Sequence, residues 1–252
     1  MTQTMAPTAP PALRTGSSGA RTGALLAVAS GVSIVVNYAF LLAAGRILGS
    51  ADYGSLAALL GLLSVVVLPA GALQLAVSRE VSRRVASGEA QSADRFARAV
   101  LRLSVLATVP LLLVAFALAA PLAAVLHIHS VGVVVLAEAA FATALVFPVA
   151  NGVLQGRQRF HALAALYVAP FVVRLAVLAV VAAAGYRLGG AVLATVLGSI
   201  GGTALALALV RDPLREDARG ARPSLAEFLR YLGPVAVGVI GIALLTNVDI
   251  LV

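Results

Sequence analysis

Two long apolar runs joined by a short polar turn are the feature that most restricts how this chain can fold. The stretch 37–84 contains the end of the first run, the polar turn 46–53 and the whole of the second run. Each run is long enough, at about 1.5 Å per helical residue, to cross the roughly 30 Å hydrocarbon layer of a membrane. The second run then leads into three arginines, at positions 79, 83 and 84. This pattern predicts a helical hairpin that spans a membrane.

The overall composition agrees with a membrane protein. The chain is 61% hydrophobic and 11% charged, and its mean hydropathy is +1.04. A water-soluble protein could not cover its surface with so few polar residues, so the sequence predicts an all-α polytopic membrane protein. There is no cysteine, which excludes disulfides and cysteine-ligated metals.

Six complete membrane-spanning helices are predicted, and a seventh begins near the end of the sequence. Their approximate bounds are 23–44, 56–77, 103–126, 131–153, 162–184 and 191–210, and the seventh begins near residue 232. This order divides the chain into four parts: a disordered tail (1–20), a six-helix bundle (21–210), a linker (211–231) and the start of a second bundle (232–252). Because no basic or polar cap follows the seventh helix, we expect it to continue beyond Val252.

The arginines lie almost entirely on one side of the predicted membrane. Of the 18 arginines, 15 fall in the tail or in segments on one side, two lie in turns on the other side, and one lies within a helix. Because basic segments stay cytoplasmic, we expect a multi-pass protein of the cell membrane with its N-terminus in the cytoplasm. No aromatic and basic platform accompanies these arginines, so we expect the lipid bilayer, and not nucleic acid, as a partner.

Arg174 is the one arginine inside a predicted membrane-spanning helix. It lies near the bilayer centre, where an unpaired guanidinium costs at least ~2.5–3.5 kcal/mol. Such a residue either contacts an anion in a water-filled cavity, for which its planar fork suits phosphate, or forms a structural ion pair. Glu138 in the fourth helix is the obvious partner for such a pair. We favour anion contact, because charges inside a membrane mark transport pathways.

Two acids and three amides complete the polar candidates within the helices. Glu138 and Asp249 are candidate proton or cation sites, with structural pairing as the alternative. Asn37, Gln74 and Asn151 are candidate substrate contacts, although such amides more often form hydrogen bonds between helices.

Two further patterns predict local structure. The motifs Gly45-x-x-x-Gly49 and Gly198-x-x-x-Gly202 would allow helices to approach closely. Ser92, after the predicted turn at Gly88, is the expected N-cap of the third helix.

The sequence contains no catalytic or cofactor motif. It lacks a glycine-rich phosphate loop, a nucleophile elbow and an acid pair. His127 and His129 share one turn without a third ligand in reach of the sequence, so no metal site is expected. Asp52 is the only carboxylate on the arginine-poor side, and its turn is too short to build an active site. We therefore expect a protein that is not an enzyme and that has no cofactor.

Four segments resemble the oligosaccharide flippases of the MOP superfamily, the Wzx-like polysaccharide exporters that are related to the MATE antiporters and the lipid II flippase. The first two are the outer turn and second helix, GRILGSADYGSLAALLGLLSVVVLPAG (45–71), and the basic exit LAVSREVSRR (75–84). The others are NGVLQGRQRFHALAALYVAPFVVRLAV (151–177) and TNVDILV (246–252), which in the family opens the second lobe. The resemblance covers nearly all of residues 22–252 and depends on the order and spacing of these segments.

The resemblance implies the N-terminal lobe of a two-lobe transporter. It implies two six-helix bundles around a central cavity that opens alternately to each side of the membrane. It also implies a polyprenyl-diphosphate-linked oligosaccharide as the substrate, carried for cell-surface polysaccharide biosynthesis, with Arg174 as the contact for the diphosphate. Cell-envelope glycan assembly enzymes are the protein partners that such a flippase would have.

Other functions stay open from the residues alone. A MATE-like cation or drug antiporter would need acids in its cavity, and Glu138 is the only acid well inside the first six helices. A scaffold with the flippase fold would recruit cell-envelope enzymes through its cytoplasmic loops. A membrane glycosyltransferase ranks after these, because it would need a large loop on the outer side.

Overall fold

The chain forms a bundle of helices. The structure is a computed structural model that describes residues 17–215, except for the side chains of 17–18, 65–69 and 212–215. Its helices are α1 (Ser17–Ala86), α2 (Ala90–Val125), α3 (Val131–Glu138), α4 (Phe141–Ala144), α5 (Val146–Gly156), α6 (Phe160–Ala183) and α7 (Leu188–Arg215). Residues 1–16 of the predicted tail, most of the predicted linker and the whole seventh predicted helix, with Asp249, lie outside the described residues.

Helix α1 is two helices that meet at a sharp turn. Gly49 has φ 77° and ψ 175°, in the positive-φ region that residues with a Cβ rarely adopt. A straight helix would place Ser33 and Gln74 about 60 Å apart, at 1.5 Å per residue, yet both line the same cavity. The chain therefore reverses direction at Gly49, within the predicted polar turn 46–53.

The described chain contains six apolar segments that cross the bundle. Five helices are long and apolar enough to span a membrane by length and composition alone: Gly19–Ser64, Ala90–Val125, Val131–Gly156, Phe160–Ala183 and Leu188–Arg211. The first has 46 residues, about twice what one crossing needs, and it contains the reversal at Gly49. Its two arms give the sixth crossing, so the predicted all-α membrane fold with a six-helix lobe is confirmed.

Two local features differ from the prediction. The predicted fourth helix, 131–153, is interrupted, because α3 ends at Glu138 and α4 and α5 follow after short breaks. The prediction that Ser92 caps α2 is wrong, because the N-cap is Glu89. Ser92 lies inside the first turn, where its Oγ accepts a hydrogen bond of 2.8 Å from Nη1 of Arg84. The Ser92 hydroxyl, which the sequence predicted to bond to the backbone at the start of α2, is therefore a partner of the Arg84 guanidinium of α1.

The bundle has two separate hydrophobic cores. One lies at the end that carries Gly49 and includes Phe40 and Leu56. The other includes Val81 and Leu154 and lies at the opposite end, which we call the arginine end because the turns 87–89 and 157–159 lie there. Among the described residues none belongs to both cores. The middle level of the bundle is therefore packed differently from its ends.

Large apolar side chains cover much of the outside of the bundle. Leu106, Leu113 and Val180 are exposed by 67%, 65% and 70%. An apolar surface of this extent is unfavourable in water and favourable against hydrocarbon chains. These side chains therefore mark the face that meets lipid.

Glycines bring α5 against the second arm of α1. A Cβ on Gly152 would lie 2.6 Å from the carbonyl oxygen of Gln74, and a Cβ on Gly156 would lie 2.6 Å from that of Ser78. Because a side chain fits at neither position, these glycines form a small-residue contact of the kind that lets membrane helices approach closely. The sequence prediction did not include this pair.

Charged side chains connect the helices at the arginine end. Arg157, in the turn after α5, forms an ion pair with Asp94 near the start of α2. Arg159 donates a hydrogen bond of 2.7 Å from Nη1 to the carbonyl oxygen of Leu209 in α7. Three elements that are distant in sequence are thus fixed relative to one another at this end.

Glu80 adds a charged contact within α1 at the same end. Its carboxylate accepts hydrogen bonds from Arg83 (2.6 and 3.0 Å) and from Arg84 (2.7 Å). Burial would raise the pKa of Glu80, but the two guanidinium groups outweigh that effect and hold the pKa below its ordinary value. Glu80 therefore stays ionised near neutral pH and balances part of the positive charge at this end.

Replacing Arg157 with glutamine should destabilise the bundle. The substitution leaves the carboxylate of Asp94, which is only 7% exposed, without its charged partner. We expect the free energy of unfolding to fall by about 1–3 kcal/mol, measured by thermal or denaturant unfolding of the purified protein in detergent. Arg102→Gln is the matched control, because Arg102 is exposed and its loss should change stability by less than about 0.5 kcal/mol. Equal losses in the two variants would contradict a stabilising role for the ion pair.

Candidate functional site

A cavity of about 550 Å³ lies at the middle level of the bundle. Side chains from α1, α4, α5, α6 and α7 line it, and most of its surface is apolar. Its volume is typical of pockets that hold small molecules, about 300–1,000 Å³. The polar residues that line it are Ser30, Ser33, Gln74, Thr143, Asn151, Tyr167, Arg174, Thr195 and Ser199.

Arg174 supplies the positive charge of this cavity. Its Nη1 donates a hydrogen bond of 3.3 Å to Oδ1 of Asn37 in the first arm of α1. Its Cζ lies 3.6 Å from the ring centroid of Phe40, a cation–π contact with a fully buried ring. Its Nε and Nη2 are buried and have no hydrogen-bond partner in the described part of the chain. Two of the three guanidinium nitrogens are therefore without a hydrogen-bond partner among the described residues.

Close packing of α6 against α7 fixes the position of Arg174. A Cβ on Gly198 would lie 2.7 Å from the carbonyl oxygen of Pro170 and 2.9 Å from Cβ of Arg174. A Cβ on Gly202 would lie 2.5 Å from Cγ of Pro170. The predicted contact through Gly198-x-x-x-Gly202 is therefore present, whereas Gly49 of the other motif forms the turn in α1.

The predicted amides fall at two levels of the bundle. Asn37 bonds with Arg174, whereas Gln74 donates from Nε2 to Oε1 of Gln155 at 3.2 Å, between α1 and α5. Asn151 lies one turn before Gln155 on α5 and lines the cavity, and its buried Oδ1 has no hydrogen-bond partner in the described part of the chain. Asn37 and Gln74 therefore connect helices, as membrane amides commonly do.

Glu138 lies apart from the cavity. Its side chain is fully buried at the end of α3, and it is not among the residues that line the cavity. Neither carboxylate oxygen has a hydrogen-bond partner within residues 17–215. Arg174 and Glu138, the ion pair that the sequence suggested as an alternative, therefore do not contact each other. Arg174 contacts Asn37 and Phe40 instead.

Several cavity residues were not predicted from the sequence. No local motif marks the hydroxyls that line the cavity, which belong to Ser30, Ser33, Thr143, Tyr167, Thr195 and Ser199. Phe40, which contacts Arg174, and Gln155, which bonds to Gln74, were not predicted either. A spacing signal does exist for part of the set, since Thr195, Gly198 and Ser199 fall on one face of α7 at intervals of three and four residues. The described residues hold no group of three or more histidine or acidic side chains that would bind a metal.

Comparison of the sequence with known proteins gives no relative. No model of a protein family matches it, and no curated protein matches it.

Comparison of the structure, by contrast, gives membrane transporters. A MOP superfamily transporter from Pyrococcus furiosus superposes with a TM-score of 0.73 at 17% identity, over 89% of this chain and 53% of that one. A MATE transporter from Vibrio cholerae in its bent form gives 0.72 at 15% identity, over 93% and 57%. A multidrug resistance MATE family transporter of the MOP superfamily in an outward-facing conformation gives 0.71 at 16% identity, over 88% and 53%.

The coverage of these matches shows how much of a transporter is present. The chain spans about half the length of each of the three, and all three are transporters rather than enzymes. At identities of 15–17% the likeness establishes the fold alone. The chain therefore has the fold of a MATE/MOP-type membrane transporter and corresponds to a single lobe of one.

Proposed function

We propose that this chain is the N-terminal lobe of a carrier that exports polyprenyl-diphosphate-linked oligosaccharides for cell-surface polysaccharide biosynthesis. The observation that carries the proposal is the environment of Arg174, a guanidinium that lines a cavity inside an apolar helical bundle and keeps two nitrogens unpartnered. Leaving a charged group unpaired in such a place is unfavourable. An anionic substrate group would complete the site.

A diphosphate fits this arrangement better than a spherical anion such as chloride. The guanidinium offers donors in one plane, which matches two oxygens of a phosphate group. Phe40 on one face and Asn37 on one edge hold that plane in position. The remaining edge is where an anion would bind.

The polarity of the cavity argues against the cation antiporter. Within residues 17–215, Arg174 is the one charged residue that lines it, and the fully buried acid Glu138 is elsewhere. A cation would be repelled by the guanidinium at close range. The Pyrococcus furiosus transporter offers a parallel, since the reverse polarity of its binding pocket suggests a different function for it.

In the proposed mechanism the lobe rocks against a second, similar lobe, so that the cavity faces each leaflet in turn. Glu138 is a candidate for coupling to a proton or cation, because a carboxylate buried without a partner is favourable only when it is neutral or paired with a cation. Asp249 is the second candidate. The carrier would lie in the cell membrane with its N-terminus in the cytoplasm, next to the enzymes that assemble the glycan.

Transport by the full-length protein in vesicles tests this function. Vesicles are prepared with a fluorescent polyprenyl-diphosphate oligosaccharide, and a membrane-impermeant quencher is added outside. Without transport, the fluorescence of the inner leaflet is protected. When the carrier is present it should move the lipid to the outer leaflet, and the protected fluorescence should be lost. Protein-free vesicles give the background rate. Efflux of an aromatic cation without movement of the lipid would reject the flippase and support the antiporter, and a protein that moves neither would support the scaffold.

A further inference from the structure

Three arginines lie on one face of α2 at the arginine end of the bundle. Arg95, Arg98 and Arg102 are spaced by three and four residues, so they fall on the same side of the helix. Arg95 and Arg98 are half-buried, and Arg102 is exposed. We call these three residues the arginine stripe. The structure describes the whole of α2, and none of its residues lines the cavity, so the stripe is separate from the candidate functional site.

The arginine stripe has no charged partner in the described part of the chain. Arg95 and Arg102 form no hydrogen bond or ion pair with the described residues. Arg98 donates one long hydrogen bond of 3.4 Å from Nε to the carbonyl oxygen of Asp94, in its own helix. Three positive charges are therefore brought together on one helix face without an acid beside them among the described residues.

The acids at the same end of the bundle are engaged elsewhere. Glu80 binds Arg84, and Asp94 pairs with Arg157. Glu89 lies just before the first turn of α2 and forms no ion pair with a described residue. The acids that the structure describes at this end therefore leave the charge of the arginine stripe unbalanced.

The same face of α2 becomes apolar towards the middle of the bundle. Leu106, Val109 and Leu113 follow Arg102 at intervals of three and four residues, and they are exposed by 67%, 56% and 65%. The arginine stripe extends for about 10 Å along the helix axis, a length comparable to the headgroup layer on one side of a bilayer. This face therefore offers positive charge at the level of the headgroups and an apolar surface at the level of the acyl chains.

We propose that the arginine stripe binds an anionic phospholipid of the leaflet at the arginine end. Its phosphate lies against the stripe, because guanidinium groups bind phosphate oxygens through charge-assisted hydrogen bonds. Its acyl chains lie along Leu106, Val109 and Leu113, which an acidic protein segment would leave uncovered. A zwitterionic phospholipid would bring its own cation to the stripe, which the arginines would repel.

The position of the stripe indicates a resident lipid and not the cargo. The stripe lies on a helix that contributes nothing to the cavity, so a lipid bound there is not held at the candidate functional site. The proposal is therefore independent of the proposed function.

Native mass spectrometry of the purified full-length protein in a mild detergent tests the proposal. The protein is titrated with phosphatidylglycerol, which is anionic, and with phosphatidylcholine, which is zwitterionic and has the same acyl chains. The wild-type protein should retain a phosphatidylglycerol molecule at concentrations at which phosphatidylcholine is lost. Replacing all three arginines of the stripe with glutamine should weaken the binding of phosphatidylglycerol by roughly fivefold per arginine.

Two further variants make the result specific. Arg102→Gln alone, which should leave the fold as stable as in the wild type, should weaken the binding of phosphatidylglycerol by roughly fivefold. The triple variant Arg46→Gln, Arg83→Gln, Arg187→Gln is the matched control. It removes the same charge from exposed positions outside the stripe, so it should bind phosphatidylglycerol as the wild type does.

Four results would overturn the proposal. The first is equal retention of the two lipids by the wild type, and the second is an equal loss of phosphatidylglycerol in the stripe variant and its control. The third is a stripe variant that retains phosphatidylglycerol but is less stable to heat in lipid-free detergent. The arginines would then pair with protein, and the four acids of the segment 211–231 are candidates. The fourth is displacement of phosphatidylglycerol by an equal concentration of a polyprenyl phosphate, which would assign the stripe to the cargo.

Discussion

Full-length protein in which Arg174 is replaced by alanine should insert into the membrane normally and lose export of the lipid-linked oligosaccharide. Among the described residues, Arg174 is the only positive charge that lines the cavity. Each lost hydrogen bond between a guanidinium and a phosphate is worth about 1.5–3 kcal/mol, or roughly ten- to 150-fold in affinity. Translocation of a fluorescent lipid-linked oligosaccharide in vesicles gives the rate, and quantified protein in the membrane fraction shows insertion.

Two further variants make the Arg174 prediction specific. Arg174→Lys keeps the charge but loses the planar fork, so it should recover only part of the rate. Arg187→Ala removes an exposed arginine from the turn before α7 and should leave the rate unchanged. Export at the wild-type rate by Arg174→Ala would show that the guanidinium does not hold the substrate.

Gly198→Ala should destabilise the bundle, although alanine is the better helix former by about 1 kcal/mol. The added methyl group would lie 2.7 Å from the carbonyl oxygen of Pro170 and 2.9 Å from Cβ of Arg174. Because a backbone carbonyl cannot rotate away as a side chain does, α6 and α7 must separate. We expect a net loss of about 1–3 kcal/mol in the free energy of unfolding, measured in detergent by thermal or denaturant unfolding.

Gly201→Ala is the matched control in the same helix. Its Cβ would meet Cγ1 of Val173 at 3.6 Å, an ordinary contact distance. Only the gain in helix propensity then applies, so Gly201→Ala should be neutral or more stable by up to about 1 kcal/mol. Equal stability of Gly198→Ala and Gly201→Ala would contradict the close contact between α6 and α7 at Gly198.

The sequence was informative wherever the pattern acts along one segment. Apolar length predicts the crossings, because a helix that spans hydrocarbon needs about twenty apolar residues whatever surrounds it. Glycine spacing predicts the α6–α7 contact, because small residues four apart lie on one helix face. The charge of Arg174 singles it out, because guanidinium groups within membranes are costly everywhere.

Contacts between helices could not be predicted in the same way. They depend on how each helix is rotated about its axis relative to its neighbours, and the sequence of one segment does not specify that rotation. Arg174 contacts Asn37 and Phe40, which lie 137 and 134 residues earlier. Glu138 is closer in sequence, yet its carboxylate has no hydrogen-bond partner among residues 17–215. The hydroxyl groups that line the cavity were equally hard to predict, because a hydroxyl that bonds to its own helix looks the same in sequence whether it faces a cavity or lipid.

The two separate cores have a consequence for how a substrate acts on the protein. The two clusters of buried apolar side chains lie at the Gly49 end and at the arginine end, and the level between them holds the cavity. A ligand in that space would supply the contacts that the middle level lacks. A ligand that binds only the folded state stabilises that state. In the proposed carrier the bundle would therefore be more stable with its substrate bound, and less stable during the part of the cycle in which the cavity is empty.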